Sequence, residues 1–90
     1  MQQNKSYLNL LLNRCKDISQ EELLNMANEV DPDIGTLLFS SFVQKVSFDV
    51  IEKNAAIDGK VIPVSRSNFY RRRRRYIQNI EQRLAVAGRA

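Results

Sequence analysis

The sequence contains no histidine and no tryptophan, and only one of its 90 residues is a cysteine. Without histidine, the commonest general base and the usual partner of a nucleophilic serine or cysteine are missing, which argues against an enzyme. A single cysteine, Cys15, excludes an intramolecular disulfide and leaves no Cys/His spacing for a zinc site. We therefore predict a protein that has no catalytic residues, no metal site and no cofactor.

Glycine and proline are also scarce, with three and two residues respectively. Long segments without these residues, in which apolar residues recur at helical spacing, are typical of an all-α protein. Hydrophobic residues make up 43% of the chain and charged residues 27%, which favours a folded chain over a disordered one. Because 90 residues fit one domain, we predict a small bundle of four to five helices.

Long apolar runs are absent. The longest near the N-terminus, residues 8–12, is interrupted by Asn9 and is too short for a signal-peptide core or a membrane span. We therefore expect no membrane partner and a cytoplasmic location.

Acidic residues are missing where the basic residues concentrate. Residues 1–64 carry six Lys or Arg and nine Asp or Glu, whereas residues 65–90 carry eight Arg and one Glu. No acid occurs within residues 66–80. A neutral-to-acidic body with a basic end indicates a polyanionic partner there: DNA, RNA or anionic lipid.

Several residue pairs mark helix starts in the first half of the chain. Apolar spacing predicts a first helix over residues 4–16. Ser19 and Glu22 form an S-x-x-E capping box, which predicts a second helix starting directly after Ser19. Asp31 followed by Pro32 matches an N-cap and a first-turn proline, so we predict that a third helix starts there.

The middle of the chain contains the clearest turn signal. Ser47 caps a fourth helix that runs to about Lys53, unless the third helix continues as one bent helix. Asp58 and Gly59 predict a turn, and residues 61–64 form a short extended segment because their proline disfavours a helix.

A long basic helix is predicted to follow. Ser65 or Ser67 caps it, and it runs to about Ala87 with Gly88 as its stop. The predicted organisation is a single DNA-binding domain, 1–90, divided into a helical core and dimer or partner surface at 1–54, a turn and extended segment at 55–64, and a basic recognition helix at 65–88.

Five consecutive arginines, residues 71–75, lie on this helix and cannot share one role. Counted at about 100° per residue from Phe69, the apolar residues fall on one face: Tyr76, Ile77, Ile80, Leu84 and Ala87. Arg73 falls within that face, so we expect its stem to pack and its head to turn outward or meet a carboxylate. Arg72 and Arg74 lie on the flanks. Opposite the apolar face lie Ser67, Arg71, Arg75, Gln78 and Gln82.

The outer residues are of the types that contact phosphates and base edges in a major groove. The basic helix has two other interpretations as a surface: a solvated face with salt bridges, or a helix that lies on a membrane surface. The protein as a whole could instead bind or package RNA without sequence specificity, or be a subunit that binds an acidic protein. Tyr70 and Tyr76 either stack on single-stranded bases or pack on the body, and we favour packing.

Residues 64–72, V-S-R-S-N-F-Y-R-R, resemble the start of helix-turn-helix recognition helices, as in DNA invertases and several bacterial regulator families. The resemblance implies that Ser65 caps the helix, that residues 66–68 approach bases, that Tyr70 and Arg71 hold phosphate, and that Phe69 anchors the helix. The chain departs from the pattern in two ways. About ten residues separate the preceding helix from this one, where a standard turn has three or four, and Arg73 stands where these families place a core residue.

Residues 4–64 are similar in spacing to the D subunit of the bacterial flagellar master regulator and to related activators of conjugative elements. The resemblance rests on N-K-S-Y-L at residues 4–8, a capped helix, and D-I-G-T-L-L at residues 33–38 before a further helix. It implies an all-α dimer that activates transcription together with a larger, zinc-binding C subunit. The arginine run is not part of that pattern.

The chain has more apolar residues than the core of one small domain needs, and the surplus favours a dimer interface. These residues are Phe39, Phe42, Val43, Val46 and the N-terminal leucines. Together these features predict a DNA-binding transcriptional regulator that acts as a homodimer or as a heteromer with a regulator subunit, with RNA as the alternative partner. The predicted DNA-contacting residues are Lys60, Ser65, Arg66, Ser67, Asn68, Tyr70, Arg71, Arg72, Arg74, Arg75 and Gln78.

Overall fold

The computed structural model describes residues 5–87, and this part of the chain forms five α-helices and no β-strand. The all-α prediction is therefore confirmed. The last helix has 22 residues and is about 33 Å long at 1.5 Å per residue. The helices are α1 (Lys5–Arg14, followed by a 3₁₀ turn at Cys15–Asp17), α2 (Gln20–Val30), α3 (Gly35–Val43), α4 (Phe48–Ile57) and α5 (Arg66–Ala87).

Three helices begin at serines whose hydroxyl groups accept a backbone hydrogen bond. The N–H of Glu22 donates to Ser19 Oγ over 3.1 Å, and the N–H of Val50 donates to Ser47 Oγ over 3.3 Å. At α5 the N–H of Asn68 donates to Ser65 Oγ over 3.3 Å, so Ser65 caps the helix. The caps at Ser19 and Ser47 are as predicted, and of the two candidates for α5, Ser65 and Ser67, the structure has Ser65. Each serine satisfies a backbone donor that the first turn leaves unpaired. The predicted stop at Gly88 lies outside the described residues.

The prediction that Asp31 and Pro32 begin the third helix is wrong. The N–H of Asp31 donates to the Ala27 carbonyl over 3.2 Å and so ends α2. The Asp31 carboxylate accepts the N–H of Asp33 over 3.0 Å, which favours a turn over a helix start. Consequently α3 begins only at Gly35.

Separate helices, not one bent helix, form around Ser47. Lys45 has a φ of 59°, a left-handed conformation that cannot continue α3. The fourth helix runs to Ile57, four residues beyond the predicted end at Lys53. The predicted turn at Asp58 and Gly59 is confirmed, with Gly59 at a φ of 71°.

Helix α5 is the central element of the fold. It lies across α2 and α3, which pack closely on each other, while α1 packs on α3. Its inner face supplies five buried residues: Phe69, Tyr76, Ile77, Ile80 and Leu84. They pack with buried residues of the other helices, namely Leu11, Leu23, Ala27, Ile34, Leu38, Phe42, Phe48 and Ile51.

The apolar residues of α3 and its end belong to this core. Phe42 is buried, and Phe39, Val43 and Val46 are half-buried against the core. The apolar residues of α3 and its end, which the sequence suggested for a dimer interface, therefore pack largely in the core of a single chain. Among the described helices, none is both long enough and apolar enough to cross a membrane.

Helices α2 and α3 are in close contact at Gly35. A Cβ at this position would lie 1.8 Å from Oδ1 of Asn28 and 2.9 Å from the Asn28 Cα. The side-chain amide can rotate away, but the Cα belongs to the backbone of α2. Glycine is therefore needed here for packing.

We expect Gly35→Ala to lower the free energy of unfolding by about 1–3 kcal/mol, because the two helices must move apart. Urea unfolding followed by circular dichroism measures the change. Thr36→Ala, at the next and exposed position, is the control and should stay within about 0.5 kcal/mol of the unchanged protein. Equal stability of Gly35→Ala and Thr36→Ala would contradict the close approach.

Candidate nucleic-acid interface

Aromatic rings anchor the first turns of α5 on α4. The rings of Phe48 and Phe69 have centroids 4.9 Å apart, and Tyr70 adds contacts at 6.3 Å to Phe48 and 5.6 Å to Phe69. Phe69 is fully buried and Tyr70 is half-buried. Phe69 therefore anchors the helix, as the helix-turn-helix resemblance implied.

Tyr76 anchors the middle of α5. Its ring is fully buried and meets Phe42 edge-on at a centroid distance of 5.9 Å. Its hydroxyl donates to the Leu23 carbonyl of α2 over 2.8 Å. Because the ring is enclosed, Tyr76 has no free face for a base, in agreement with the packing that we favoured.

Two arginines of the basic helix are paired with acids of the body. The guanidinium of Arg66 donates through both terminal nitrogens to the carboxylate of Asp49, with the NH2–Oδ2 bond at 3.3 Å. This contact lowers the pKa of Asp49 below its ordinary value. Arg72 Nε donates to Asp31 Oδ2 over 2.6 Å in a half-buried pair.

These acids were missed by the sequence analysis. They lie 17 and 41 residues before their arginines, so no local pattern connects them. Asp31 serves two elements, since one carboxylate oxygen accepts the turn N–H of Asp33 and the other accepts Arg72. A third pair joins Arg83 to Glu22 of α2 over 2.6 Å. Among the described residues, three ion pairs thus join α5 to the body, and the Arg72–Asp31 pair is the least exposed of them.

Arg73 lies on the packed face of α5, as its helical phase predicted. Its Nε is buried and has no hydrogen-bond partner within the described residues, and its guanidinium carbon lies 5.9 Å from the centre of the Tyr70 ring. Burial lowers the pKa of the Arg73 guanidinium from its ordinary value. The stem packs as expected, whereas the head lies near the Tyr70 ring and meets no carboxylate of the part of the chain that the structure describes.

We expect Arg73→Met to be at least as stable as the unchanged protein, because methionine keeps an unbranched stem and removes the unpaired donor. Arg73→Ala, which also removes the stem, should lower the free energy of unfolding by about 1–2 kcal/mol. Thermal and urea unfolding compare the two variants. Equal losses in both would mean that the guanidinium, and not its stem, stabilises α5.

Five polar residues of α5 form an exposed strip that we call the outer row. It consists of Ser67, Arg71, Arg74, Arg75 and Gln78, all exposed. At about 100° per residue the other four lie within about 60° of Gln78. Gln82, one turn further on, is also exposed but lies beyond this strip. Arg71 and Arg75 have no acidic partner among the described residues. The outward phase predicted for Ser67, Arg71, Arg75 and Gln78 is therefore observed, and Arg74, which was predicted on a flank, is exposed as well.

The other predicted contact residues are less available. Ser65 uses its hydroxyl for the helix cap, Asn68 is half-buried, and Arg66 is exposed but held by Asp49. Lys60 is exposed on the loop that leads into α5. The structure thus brings Ser67 and three arginines together with Gln78 and separates the rest from this strip.

The connection between α4 and α5 spans residues 58–65, eight residues. It is longer than the three or four residues of a standard helix-turn-helix, as the sequence indicated. Within the described residues, no group of three His, Cys, Asp or Glu is arranged to hold a metal ion. No protein-family model, curated protein or solved structure matches the chain, so both resemblances stay predictions based on the residues given above.

Proposed function

We propose that the protein is a transcriptional regulator that binds duplex DNA through the outer row of α5. The observation that carries the proposal is the distribution of charge around this helix. Acids of the body meet Arg66, Arg72 and Arg83 on the flanks, whereas Arg71 and Arg75 face outward and have no acidic partner among the described residues. Cations concentrated on one exposed helix face attract a polyanion.

The shape of the site favours duplex DNA over RNA. The major groove of B-DNA is about 12 Å wide and admits an α-helix, whereas the deep major groove of A-form RNA is too narrow for side chains to read. The outer row is carried by a helix that three ion pairs and a buried tyrosine hold on the body. Such a helix can enter a wide groove without folding on its target.

Stacking on single strands has less support, because it needs exposed aromatic rings. Tyr76 is fully buried and Tyr70 is half-buried between α4 and α5. The tyrosines beside the arginine run therefore serve packing.

The short length of the outer row favours two DNA-binding units per site. From Ser67 to Gln78 the helix rises about 16 Å, which spans about five base pairs at 3.4 Å each. Five base pairs are too few to define a regulatory site in a genome. We therefore propose that the regulator acts as a homodimer on two half-sites or together with a partner subunit.

Fluorescence anisotropy with matched probes tests the proposal: random duplex DNA, structured RNA and single-stranded DNA, each titrated at several salt concentrations. We expect duplex DNA to bind most tightly. With two to three cationic contacts to phosphates the plot of log K against log salt should have a slope of about −2 to −3.

Tighter binding of the structured RNA at equal salt would replace DNA with RNA as the partner. A slope near −1 for duplex DNA would show that the outer row does not lie on the phosphates. Either outcome would overturn the proposed function.

A further inference from the structure

We infer that Arg71 and Gln78 read base edges in the major groove, while Arg74 and Arg75 hold phosphates on the two opposite strands. This inference rests on the proposed function and assigns its sequence specificity. It also moves base reading away from the first turn of α5, where the helix-turn-helix resemblance placed it.

The angular positions of the outer row separate the two roles. Measured from Gln78, Arg71 lies about 20° away, so the two share the centre line of the exposed face. Arg74 lies about 40° to one side of this line and Arg75 about 60° to the other. In a helix that lies in a groove, central side chains point at the base pairs and lateral ones at the walls. The lateral arginines therefore face phosphates of different strands.

The first turn of α5 is poorly placed for base reading. Arg66 is engaged at both terminal nitrogens by Asp49, and its guanidinium lies 5.8 Å from the Phe48 ring centre. Ser65 caps the helix, and Asn68 is half-buried. Only Ser67 remains exposed on the centre line, and its short side chain reaches least far. The long central side chains begin at Arg71.

The backbone that carries these side chains is fixed on both sides. Arg72, next to Arg71, is bound to Asp31 at the α2–α3 turn, and Tyr76, two residues before Gln78, is bound to the Leu23 carbonyl. Fixed positions favour specific recognition because less conformational freedom is lost on binding.

The chemistry of the two side chains predicts the bases. Arginine forms paired hydrogen bonds with O6 and N7 of guanine, and glutamine does so with N6 and N7 of adenine. Arg71 and Gln78 are seven residues apart, or about 10 Å along the helix. In zinc-finger helices, side chains nearly two turns apart contact the first and last of three successive bases. We therefore expect a guanine and an adenine about two to three base pairs apart.

Selection of bound duplexes from a randomised pool tests the inference with the full-length chain. The unchanged protein should enrich the guanine and adenine pair. Arg71→Ala should lose the guanine preference and Gln78→Ala the adenine preference, each by roughly 5- to 150-fold relative to other bases. Gln82→Ala, one turn further on, is the matched control and should keep both preferences.

Arg75→Ala tests the phosphate role. It should weaken binding to all sequences by the same factor, reduce the salt slope by about 0.9 and leave the selected sequence unchanged. Circular dichroism should show intact folding for all four variants, because these positions are exposed.

The failure of this inference differs from the failure of the proposed function. Duplex binding with the expected salt slope but no enriched sequence would overturn base reading and leave DNA binding in place. The same holds if Gln82→Ala, and not Gln78→Ala, removes a base preference, or if Arg75→Ala changes the selected sequence. Absence of duplex binding by the unchanged protein would overturn both.

Discussion

Replacing Arg71 and Arg75 together by glutamate should abolish duplex DNA binding and leave the fold intact. Both side chains are exposed on the outer row and have no acidic partner among the described residues. Loss of the Arg75 phosphate contact at about 0.1 M salt costs roughly 8-fold in affinity, loss of the Arg71 base contact costs roughly 5- to 150-fold more, and the repulsion of two new carboxylates adds to this. We therefore expect a loss of more than about 100-fold.

In the variant with glutamate at both Arg71 and Arg75, the free energy of unfolding should change by less than about 0.5 kcal/mol, because neither arginine packs in the core. Anisotropy titrations and urea unfolding measure the two quantities. The matched control is Arg14→Glu with Lys16→Glu, which makes the same change in net charge at exposed residues at the end of α1. Equal loss of binding in both variants would show that affinity for DNA depends on the net charge of the protein and not on the position of the arginines in the outer row.

Tyr76→Ala should remove a third or more of the free energy of unfolding of the protein. The ring is fully buried, meets Phe42 edge-on, and carries the hydroxyl that joins α5 to the Leu23 carbonyl of α2. Removing a buried aromatic ring costs about 3–5 kcal/mol, and a domain of this size has a total stability of only about 5–10 kcal/mol. Circular dichroism at 222 nm during urea titration should show an early or absent folded baseline.

Tyr76→Phe separates the ring from its hydroxyl. This variant keeps the packing and should lose only about 1 kcal/mol, the usual net contribution of one hydrogen bond. A loss as large as that of Tyr76→Ala would mean that the hydroxyl, and not the ring, dominates the stability of this region.

The hydroxyl also predicts a pH dependence. Burial raises the pKa of Tyr76 above the ordinary tyrosine value of 10.0. A group whose pKa is higher in the folded state stabilises the fold below its unfolded pKa, and this contribution is lost as the pH rises further. The stability advantage of the unchanged protein over Tyr76→Phe should therefore shrink between about pH 9 and pH 11. A constant difference over that range would contradict the burial of the phenol.

Local signals in the sequence were enough to predict the helices and the exposed face of α5. Ser19, Ser47 and Ser65 cap their helices as expected, since a cap depends only on the three residues that follow it. Helical phase placed Arg73 inside and Arg71 outside for the same reason: a periodic pattern needs no tertiary information.

Contacts between residues that are far apart in the chain could not be predicted from the sequence. The acid-free segment 66–80 gave no sign that Asp49 and Asp31 would pair with Arg66 and Arg72, because only the fold brings these residues together. The same carboxylate explains the error at the third helix. Asp31 was assigned as a helix cap, whereas it closes a turn and binds an arginine of another helix.

The position of α5 in the chain has a consequence for how the protein folds during synthesis. Helices α1 to α4 leave the ribosome first, yet α5 supplies Phe69, Tyr76 and Ile80, on which they pack. The bond between Tyr76 and Leu23 closes a loop of 53 residues, so the core cannot form while α5 is still inside the ribosome tunnel. Folding therefore follows translation of α5, and a nascent chain that stops before it exposes the apolar sides of α2 and α3 to chaperones and proteases.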